Sequence, residues 1–201
     1  MKKIIIAFSL LFLATSCVET VVVGSLAGVV VVSREKSFRD TGGDIVIAAK
    51  IDKELLVGGL KGVSNSVGVM VDEGRVLLTG VIRDAQKGQL AIDIAWKVDG
   101  VKEVIDELEV NKEGVKARDF SATFSDSYIT SAIKTKLFFR PSLAPANYKI
   151  TTFNQTVFVL GVYREDSDIK GVLNLISKTY GVKKVINYAI STNDIRRKST
   201  Q

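Results

Sequence analysis

The sequence predicts an α+β protein made of two copies of one α-β-β-α-β unit, each with a three-stranded mixed sheet packed on two helices. The main observation is an internal repeat. Residues 76–83 (Val-Leu-Leu-Thr-Gly-Val-Ile-Arg) recur 81 residues later as residues 157–164 (Val-Phe-Val-Leu-Gly-Val-Tyr-Arg). At the same offset, Gly-Val-Lys-Glu-Val at 100–104 matches Gly-Val-Lys-Lys-Val at 181–185. A repeat this long indicates two homologous domains rather than a solenoid.

Both copies show the same order of predicted elements. A helix comes first, followed by two strands joined by a short turn, a second helix with an apolar stripe, and a last strand. Gly100 and Gly181 are expected as C-terminal caps of the second helices. The first helix is predicted at 44–57 in the first copy and 126–138 in the second. The hairpin strands are predicted at 66–71 and 75–82 in the first copy and at 148–153 and 156–163 in the second. The last strand is predicted at 102–110 and 183–191.

Pairing rules turn this order into a fold. Strands joined by a short turn pair antiparallel, whereas a strand-helix-strand connection crosses over right-handed and makes its two strands parallel. A small mixed sheet with both helices on one face follows.

The N-terminus predicts secretion. Met1-Lys2-Lys3 is a basic start, and Ile4–Leu13 is an apolar run of ten residues, too short to span a bilayer. Residues 1–16 are therefore predicted to be a signal peptide. Cys17 follows small residues and is the only cysteine, so the chain has no internal disulfide.

The small residues before Cys17 resemble the bacterial lipobox. The resemblance implies that Cys17 becomes the acylated (palmitate-bearing) first residue of the mature protein. It also implies that Val18, in place of aspartate, directs the protein to the outer membrane, with the folded part facing the periplasm. The alternative is an ordinary signal peptide with an incidental cysteine.

Residues 17–43 are predicted to form a lipidated N-terminus and linker. Val21–Val32 is a second apolar run of twelve residues, too short to cross a membrane as a helix. It can lie at the membrane surface beside the anchor or add a strand to the folded body. Residues 33–43 are charged and end in Gly-Gly, as is typical of a linker.

The helix predicted at 126–138 is apolar on both faces. Ser125 or Asp126 is expected to cap it, and Pro141 to end it. One face carries the predicted core residues Ile129, Ala132, Ile133 and Leu137. The opposite face carries Tyr128, Ser131, Thr135 and Phe138, with Phe139 at its edge and the basic residues Lys134 and Arg140 beside it. An apolar outer face flanked by basic residues indicates contact with an anionic lipid surface. The alternative is burial of this face by a neighbouring domain.

Charge separates the two copies. Residues 18–118 contain 14 Lys+Arg and 16 Asp+Glu, a net charge of −2, whereas residues 119–201 contain 12 and 6, a net charge of +6. Each basic residue near an anionic leaflet contributes about 1 kcal/mol. The second copy is therefore predicted to be the better lipid binder, and the first a structural or protein-contact module. The alternative is that the asymmetry serves only solubility.

Two further predictions concern the C-terminal tail and the single tryptophan. The basic tail at 193–201 is expected to be a solvated end. Trp96, the single tryptophan, lies off the apolar stripe of its helix. Burial within its own unit is expected, with packing against the second unit as the alternative.

The glycine pattern resembles a known family. Gly-X-Val-X-X-X-Gly at 74–80, with the later Gly-Val-X-X-Val, is similar to the BON domain. Gln155 replaces the first glycine in the second copy and is expected to change only the turn. The whole arrangement resembles the dual-BON outer-membrane lipoproteins, with BON domains at 44–112 and 125–192 and a linker at 113–124.

The resemblance extends to the lipid-binding members of that group. Their second BON unit begins with Asp-Thr-Trp-Ile-Thr, and this sequence has Asp-Ser-Tyr-Ile-Thr at 126–130. The resemblance implies that this helix contacts anionic phospholipid (phosphatidylglycerol or cardiolipin) and that Tyr128 takes the inserting position. Tyrosine prefers the membrane interface but offers less apolar surface than tryptophan.

No catalytic chemistry is predicted. The chain has no histidine, its single thiol is expected to be acylated, and its glycines lack phosphate-binding motifs. No catalytic residue, metal or cofactor is expected, and the secretion signal argues against nucleic acid. The predicted function is a non-enzymatic outer-membrane lipoprotein that binds anionic phospholipid and supports envelope integrity. The alternative is a periplasmic adaptor or stress-protective, chaperone-like factor with protein partners in the envelope.

Overall fold

Two mixed sheets, each with two helices on one face, form the described part of the chain. The computed structural model describes residues 38–62, 65–113 and 120–198. The predicted signal peptide, Cys17 and Val21–Val32 lie outside the described residues. All the described residues belong to a single compact unit.

The first unit follows the predicted order. Its elements are α1 (Phe38–Val57), β1 (Ser66–Asp72), β2 (Arg75–Ile82), α2 (Ala85–Trp96) and β3 (Glu103–Val110). β2 lies at the centre, antiparallel to β1 and parallel to β3. This is the predicted mixed sheet.

The second unit repeats this order with one difference. Its elements are α3 (Phe120–Phe138), β4 (Tyr148–Phe153), β5 (Thr156–Tyr163), α4 (Asp166–Ser177), β6 (Lys184–Asn187) and β7 (Ile190–Ser191), and a short helix α5 (Ile195–Lys198) follows. The predicted single last strand is divided into β6 and β7, which both pair parallel with β5, so this sheet has four strands rather than three. The α+β class with two tandem units is confirmed.

The division of the last strand coincides with a contact to the first unit. Between β6 and β7, the Tyr188 hydroxyl donates to the Glu107 carboxylate in β3. Burial, together with this hydrogen bond, raises the pKa of Tyr188 to about 12. The Asn187 side chain accepts from the backbone N–H of Ala189 at 2.9 Å and so supplies a partner where the strand ladder is broken.

Helices and sheet bury the predicted apolar residues within each unit. In α1 these are Ile47, Ile51 and Leu55, and in α3 they are Ile129, Ile133 and Leu137. The stripes of the second helices are also buried at Ala91, Ala95 and Val98 and at Val172 and Ile176, with Ile94 and Leu175 partly buried beside them. The helical period read from the sequence therefore identified the inner faces correctly.

A third core joins the two units. Leu77, Val81 and Ile105 project from the first sheet, on the face away from the helices, and pack with Phe153, Phe158 and Leu160 of the second sheet. The molecule is therefore layered as helices, sheet, sheet and helices. Because both faces of β2 are covered, all eight of its residues are buried. The sequence analysis did not predict this contact.

Polar bonds surround the sheet-to-sheet core. The Arg75 guanidinium is nearly fully buried, pairs with Glu103 in its own sheet and donates to the Tyr188 carbonyl at 2.7 Å. The Lys149 ammonium in β4 donates to the Asp44 carboxylate in α1 at 3.0 Å. The bonds from Arg75 to Tyr188 and from Lys149 to Asp44 link one unit to the other and help to fix how the sheets meet.

The tail does not meet the expectation of a solvated end. The Arg197 guanidinium donates two bonds, of 2.7 and 2.8 Å, to the Glu73 carboxylate in the first unit. The Arg196 guanidinium binds Asp194, which holds the pKa of that carboxyl well below its usual range, and lies 3.4 Å from a Glu103 oxygen. Arg197 therefore ties the end of the chain to the first unit.

Several local expectations were wrong. α1 and α3 begin at Phe38 and Phe120, six residues before their predicted starts, so part of each predicted linker is helical. α2 and α4 end at C-cap residues Lys97 and Lys178, and Gly100 and Gly181 lie in the turns that follow, with φ of 94° and 88°. Glycine suits the end of each turn because the backbone there has a positive φ, which glycine adopts without steric cost.

Two single residues also differ from expectation. Trp96 is 51% exposed, so it is buried neither in its own unit nor against the second. Gln155 keeps the turn rather than changing it: it has φ of 60°, in the same left-handed region as Gly74 with φ of 80°. A non-glycine residue in this region carries backbone strain.

The sheet-to-sheet core predicts that the units unfold together. Leu160→Ala removes fully buried side-chain atoms from this core and should lower the free energy of unfolding by about 2–5 kcal/mol. Trp96 lies in the first unit and is the only tryptophan, so its fluorescence follows that unit. The unfolding midpoint followed by Trp96 fluorescence should shift by the same amount as the midpoint followed by far-UV circular dichroism.

The matched control for this experiment is Leu56→Ala, at a side chain that is 63% exposed in α1 and should change stability little. An unchanged Trp96 transition in Leu160→Ala, alongside loss of structure elsewhere, would mean that the units unfold independently.

Candidate functional site

The outer face of α3 is the candidate site. The helix spans Phe120–Phe138 and rests on its sheet through Ile129, Ile133 and Leu137, each at most 3% exposed. At 100° per residue, the residues opposite this face lie along one stripe on the side away from the sheet. The site is therefore built on a helix whose position is fixed by its own core.

Asp126 fixes the helix to the strand turn. Its carboxylate is buried and accepts from the backbone N–H groups of Asn154 and Gln155, both at 2.8 Å, in the turn between β4 and β5. The expected helix cap at Ser125 or Asp126 is wrong, because both residues lie within α3. The Thr130 hydroxyl adds a bond of 2.7 Å to the Thr152 hydroxyl of β4.

The first unit uses the same device at the same position of the repeat. The Asp44 carboxylate in α1 accepts from the backbone N–H groups of Glu73 and Gly74, both at 3.0 Å. A buried aspartate that holds the hairpin turn is thus common to both units and serves the fold, whereas the outer faces of the helices differ.

The predicted site residues share the exposed side of α3. Tyr128 is 57% exposed, Phe138 75% and Phe139 73%, and the rings of the two phenylalanines meet edge to face with centroids 5.4 Å apart. The other predicted residues, Ser131, Lys134, Thr135 and Arg140, are also exposed. Burial of this face by a neighbouring domain is wrong, because its aromatic side chains remain exposed although the two units are in contact.

The charge beside this stripe is positive. Lys134, Lys136 and Arg140 lie between Ser127 and Arg140, a segment without an acidic residue. Within the described ranges, no carboxylate lies within ion-pair distance of Lys134 or Arg140, and the Lys136 ammonium donates to the Thr179 hydroxyl at 3.2 Å. The side chain of Lys134 is thus available to a ligand outside the chain.

Two exposed aromatic residues were missed by the sequence analysis. Phe124 is 72% exposed and lies four residues before Tyr128, on the same stripe. Tyr180 is 86% exposed and lies in the turn after α4. The spacing of Phe124 would have revealed its place if the helix start had been set correctly, whereas no local pattern marks Tyr180.

These two residues line a groove at the first half of α3. The groove has a volume of about 390 Å³, and its lining residues are Phe124, Ser125, Tyr128, Ile129, Gln155, Tyr180 and Gly181. Three of these seven residues are aromatic: Phe124, Tyr128 and Tyr180.

The corresponding face of α1 is apolar but differs in charge. Val46, Leu56 and Val57 are between 53% and 76% exposed, at the repeat positions of Tyr128, Phe138 and Phe139. Asp52 and Glu54 stand where the second unit has Lys134 and Lys136. The first unit therefore presents apolar surface without the basic border.

Comparison with known protein families identifies the family of this chain. The model for the BON domain matches residues 44–112 and 125–193, and the chain belongs to the BON-domain family. Its two units and their sheets are accordingly tandem BON domains.

Three relatives are similar over different lengths. A protein of the gshII 5′ region of Anaplasma centrale is 34% identical over 145 residues, 72% of this chain and 92% of that protein. The outer membrane lipoprotein DolP of Haemophilus influenzae is 26% identical over 92% of this chain and 94% of its own. A 21 kDa hemolysin of Actinobacillus pleuropneumoniae is 28% identical over 60% of this chain and 59% of its own. The similarity to DolP extends along nearly the whole of both chains.

The structure also bears on membrane spanning. None of the helices in the part of the chain that the structure describes is both long and apolar enough to cross a membrane.

Asp126 gives a direct test of how the site is held. Asp126→Ala leaves two backbone N–H groups of the β4–β5 turn without their acceptor and should lower the free energy of unfolding by about 2–4 kcal/mol. Asp126→Asn keeps one oxygen acceptor and should cost less. Ser127→Ala, at the exposed neighbour, should stay within about 0.5 kcal/mol of the wild type. Equal denaturant midpoints for Asp126→Ala and the wild type would contradict this role.

Proposed function

We propose that this protein is an outer-membrane lipoprotein, anchored through acylated Cys17 and facing the periplasm, that binds anionic phospholipid through the outer face of α3. Phosphatidylglycerol or cardiolipin supplies the anionic headgroup, and the contact supports envelope integrity without catalysis. The observation that carries the proposal is the exposed stripe of Tyr128, Phe138 and Phe139 beside the basic side chains of α3.

Each group on this face has a role suited to a lipid surface. The ring of Tyr128 prefers the membrane interface, where its apolar body and its hydroxyl are both satisfied. Phe138 and Phe139 offer apolar surface to the acyl region. Lys134 and Arg140 attract the phosphate, at about 1 kcal/mol for each charge near an anionic leaflet. The small residues Ser131 and Thr135 let the backbone approach the surface and offer hydroxyl groups to a headgroup.

The fold favours this use of the helix. The inner face of each sheet is covered by its own helices, and the other face by the sheet of the neighbouring unit. Most of the large apolar side chains that remain exposed in the described residues therefore lie on outward-facing helix surfaces. The acyl chains on Cys17 would supply the anchoring energy, so contact through α3 would set the orientation of the folded part.

Binding to vesicles tests the proposal. The chain from Val18 keeps every described residue and lacks the anchor, so any binding must come from its surface. It should bind vesicles that contain phosphatidylglycerol or cardiolipin but not neutral vesicles, and the binding should weaken with salt. Tyr128→Ala and Lys134→Glu should each weaken binding about tenfold or more, measured by co-sedimentation.

Matched controls come from the first unit. Val46→Ala and Lys53→Glu make comparable changes on the outer side of α1, and both should leave binding unchanged. Binding that is equally lost in the control variants, or a wild-type chain that ignores anionic vesicles, would contradict the proposal.

A protein-binding adaptor is the second candidate, and α1 is the surface that favours it. Val46, Leu56 and Val57 are exposed beside a border of mixed charge, formed by Lys50, Asp52, Lys53 and Glu54, whose charges cancel. An apolar patch without net positive charge suits a protein partner better than an anionic lipid surface. This role is compatible with lipid contact through α3, because the two helices belong to different units.

Site-directed photo-crosslinking in cells distinguishes the two surfaces. A photoreactive residue in place of Leu56 should give discrete protein adducts that are lost when Asp52 is changed to lysine, whereas one in place of Phe138 should give none. Protein adducts at Phe138 would assign the adaptor role to α3 instead. An absence of protein adducts at both positions would contradict the adaptor function.

A further inference from the structure

We propose that Tyr180, together with Phe124 and Tyr128, forms a groove that receives an acyl chain of the bound anionic phospholipid. The inference rests on the proposed function and adds to it a second element, the turn after α4. Tyr180 becomes a membrane-inserting residue in its own right, although it is 52 residues from Tyr128 in the sequence.

The shape of the groove favours an apolar, flexible occupant. Phe124 and Tyr180 are among the most exposed large apolar side chains of the described residues, at 72% and 86%. Two other lining residues are in close contact, because a Cβ added at Gly181 would lie 3.1 Å from the Ile129 side chain. The groove volume of about 390 Å³ falls within the range of ligand-binding clefts.

Comparison of the two units shows that the aromatic residues of this groove occur only in the second unit. The positions that correspond to Phe124, Tyr128 and Tyr180 are occupied in the first unit by Gly42, Val46 and Asp99. The groove of similar volume in the first unit lies further along α1, against the end of α2, and only Asp99 of its lining corresponds to a residue of the Tyr180 groove. Its lining residues are Lys50, Glu54, Ile94, Lys97, Val98 and Asp99, four of which are charged. Two copies with one fold have thus diverged at all three positions, and Tyr180 stands where the first unit has a carboxylate.

The charge of the residues near the groove favours an anionic lipid as the molecule that supplies the acyl chain. The turn that carries Tyr180 also carries Lys178, Lys183 and Lys184, and residues 178–184 contain no acidic residue. All three lysines are exposed. Lysines that are close in the chain to Tyr180 and Gly181 suit a phosphate headgroup whose acyl chain lies in the groove.

The position of Tyr180 has a consequence for orientation. A single helix lying on a membrane can rotate about its own axis. Contacts from both α3 and the α4–β6 turn define a plane, so they restrict this rotation and fix which side of the second unit meets the lipid.

Tryptophan fluorescence tests the inference. In a Trp96→Phe background, the chain from Val18 is given one tryptophan by Tyr180→Trp and mixed with phosphatidylglycerol vesicles whose acyl chains carry bromine as a quencher. Emission should shift to shorter wavelength and be quenched on binding. The matched control is Val46→Trp in the first unit, where neither change is expected.

A binding measurement runs beside the fluorescence. Tyr180→Asp, which introduces the residue that the first unit has there, should weaken vesicle binding about tenfold, whereas Tyr180→Phe should bind like the wild type. Because the Tyr180 side chain is 86% exposed, both variants should keep the wild-type unfolding midpoint.

The outcomes separate this inference from the proposed function. If the wild type binds and depends on Tyr128 and Lys134, but the fluorescence of the Tyr180→Trp variant is neither shifted nor quenched and Tyr180→Asp binds normally, the groove is not a lipid site and the α3 proposal stands. If the wild type does not bind anionic vesicles, both are overturned. Quenching in the Tyr180→Trp variant with weakened binding in Tyr180→Asp supports the groove.

Discussion

The contact between the two sheets is the constraint on which the rest of the structure depends. Leu77 and Val81 of one sheet pack with Phe158 and Leu160 of the other, and the buried Arg75 guanidinium bonds across the boundary. Because each sheet has one face on this core, all four large helices lie on the outside. The fold thereby reserves the outer helix faces for whatever the protein binds.

Within this frame the two units keep the same fold and differ on the outer faces of their first helices. Asp44 and Asp126 hold equivalent hairpin turns, so the backbone of each unit is maintained in the same way. The outer face of α3 combines aromatic rings with basic residues, whereas that of α1 combines aliphatic side chains with basic and acidic residues whose charges cancel. The two copies therefore share the fold and differ in the surface that the first helix presents.

The sequence predicted most of the fold and part of the site, for identifiable reasons. Periodicity located the inner face of α3 and the opposite stripe with Tyr128, because a helix has a fixed angle per residue. It did not locate the sheet-to-sheet core, because the near-continuous apolar run of β2 is typical of a strand covered on both faces but does not say what covers the second face. Asp126 resembled a helix cap but binds a distant turn, and Tyr180 enters the site through tertiary structure alone. Contacts between residues far apart in sequence leave no local pattern.

The central claim is that the second unit meets the membrane through α3 while the sheets hold the units together. Amide hydrogen exchange of the chain from Val18, compared in solution and on phosphatidylglycerol vesicles, tests this claim most directly. The account predicts slower exchange on the vesicles for residues 124–140 and 178–182, with α1 and the central strands unchanged. Slower exchange confined to α1, or identical exchange in both conditions, would contradict it.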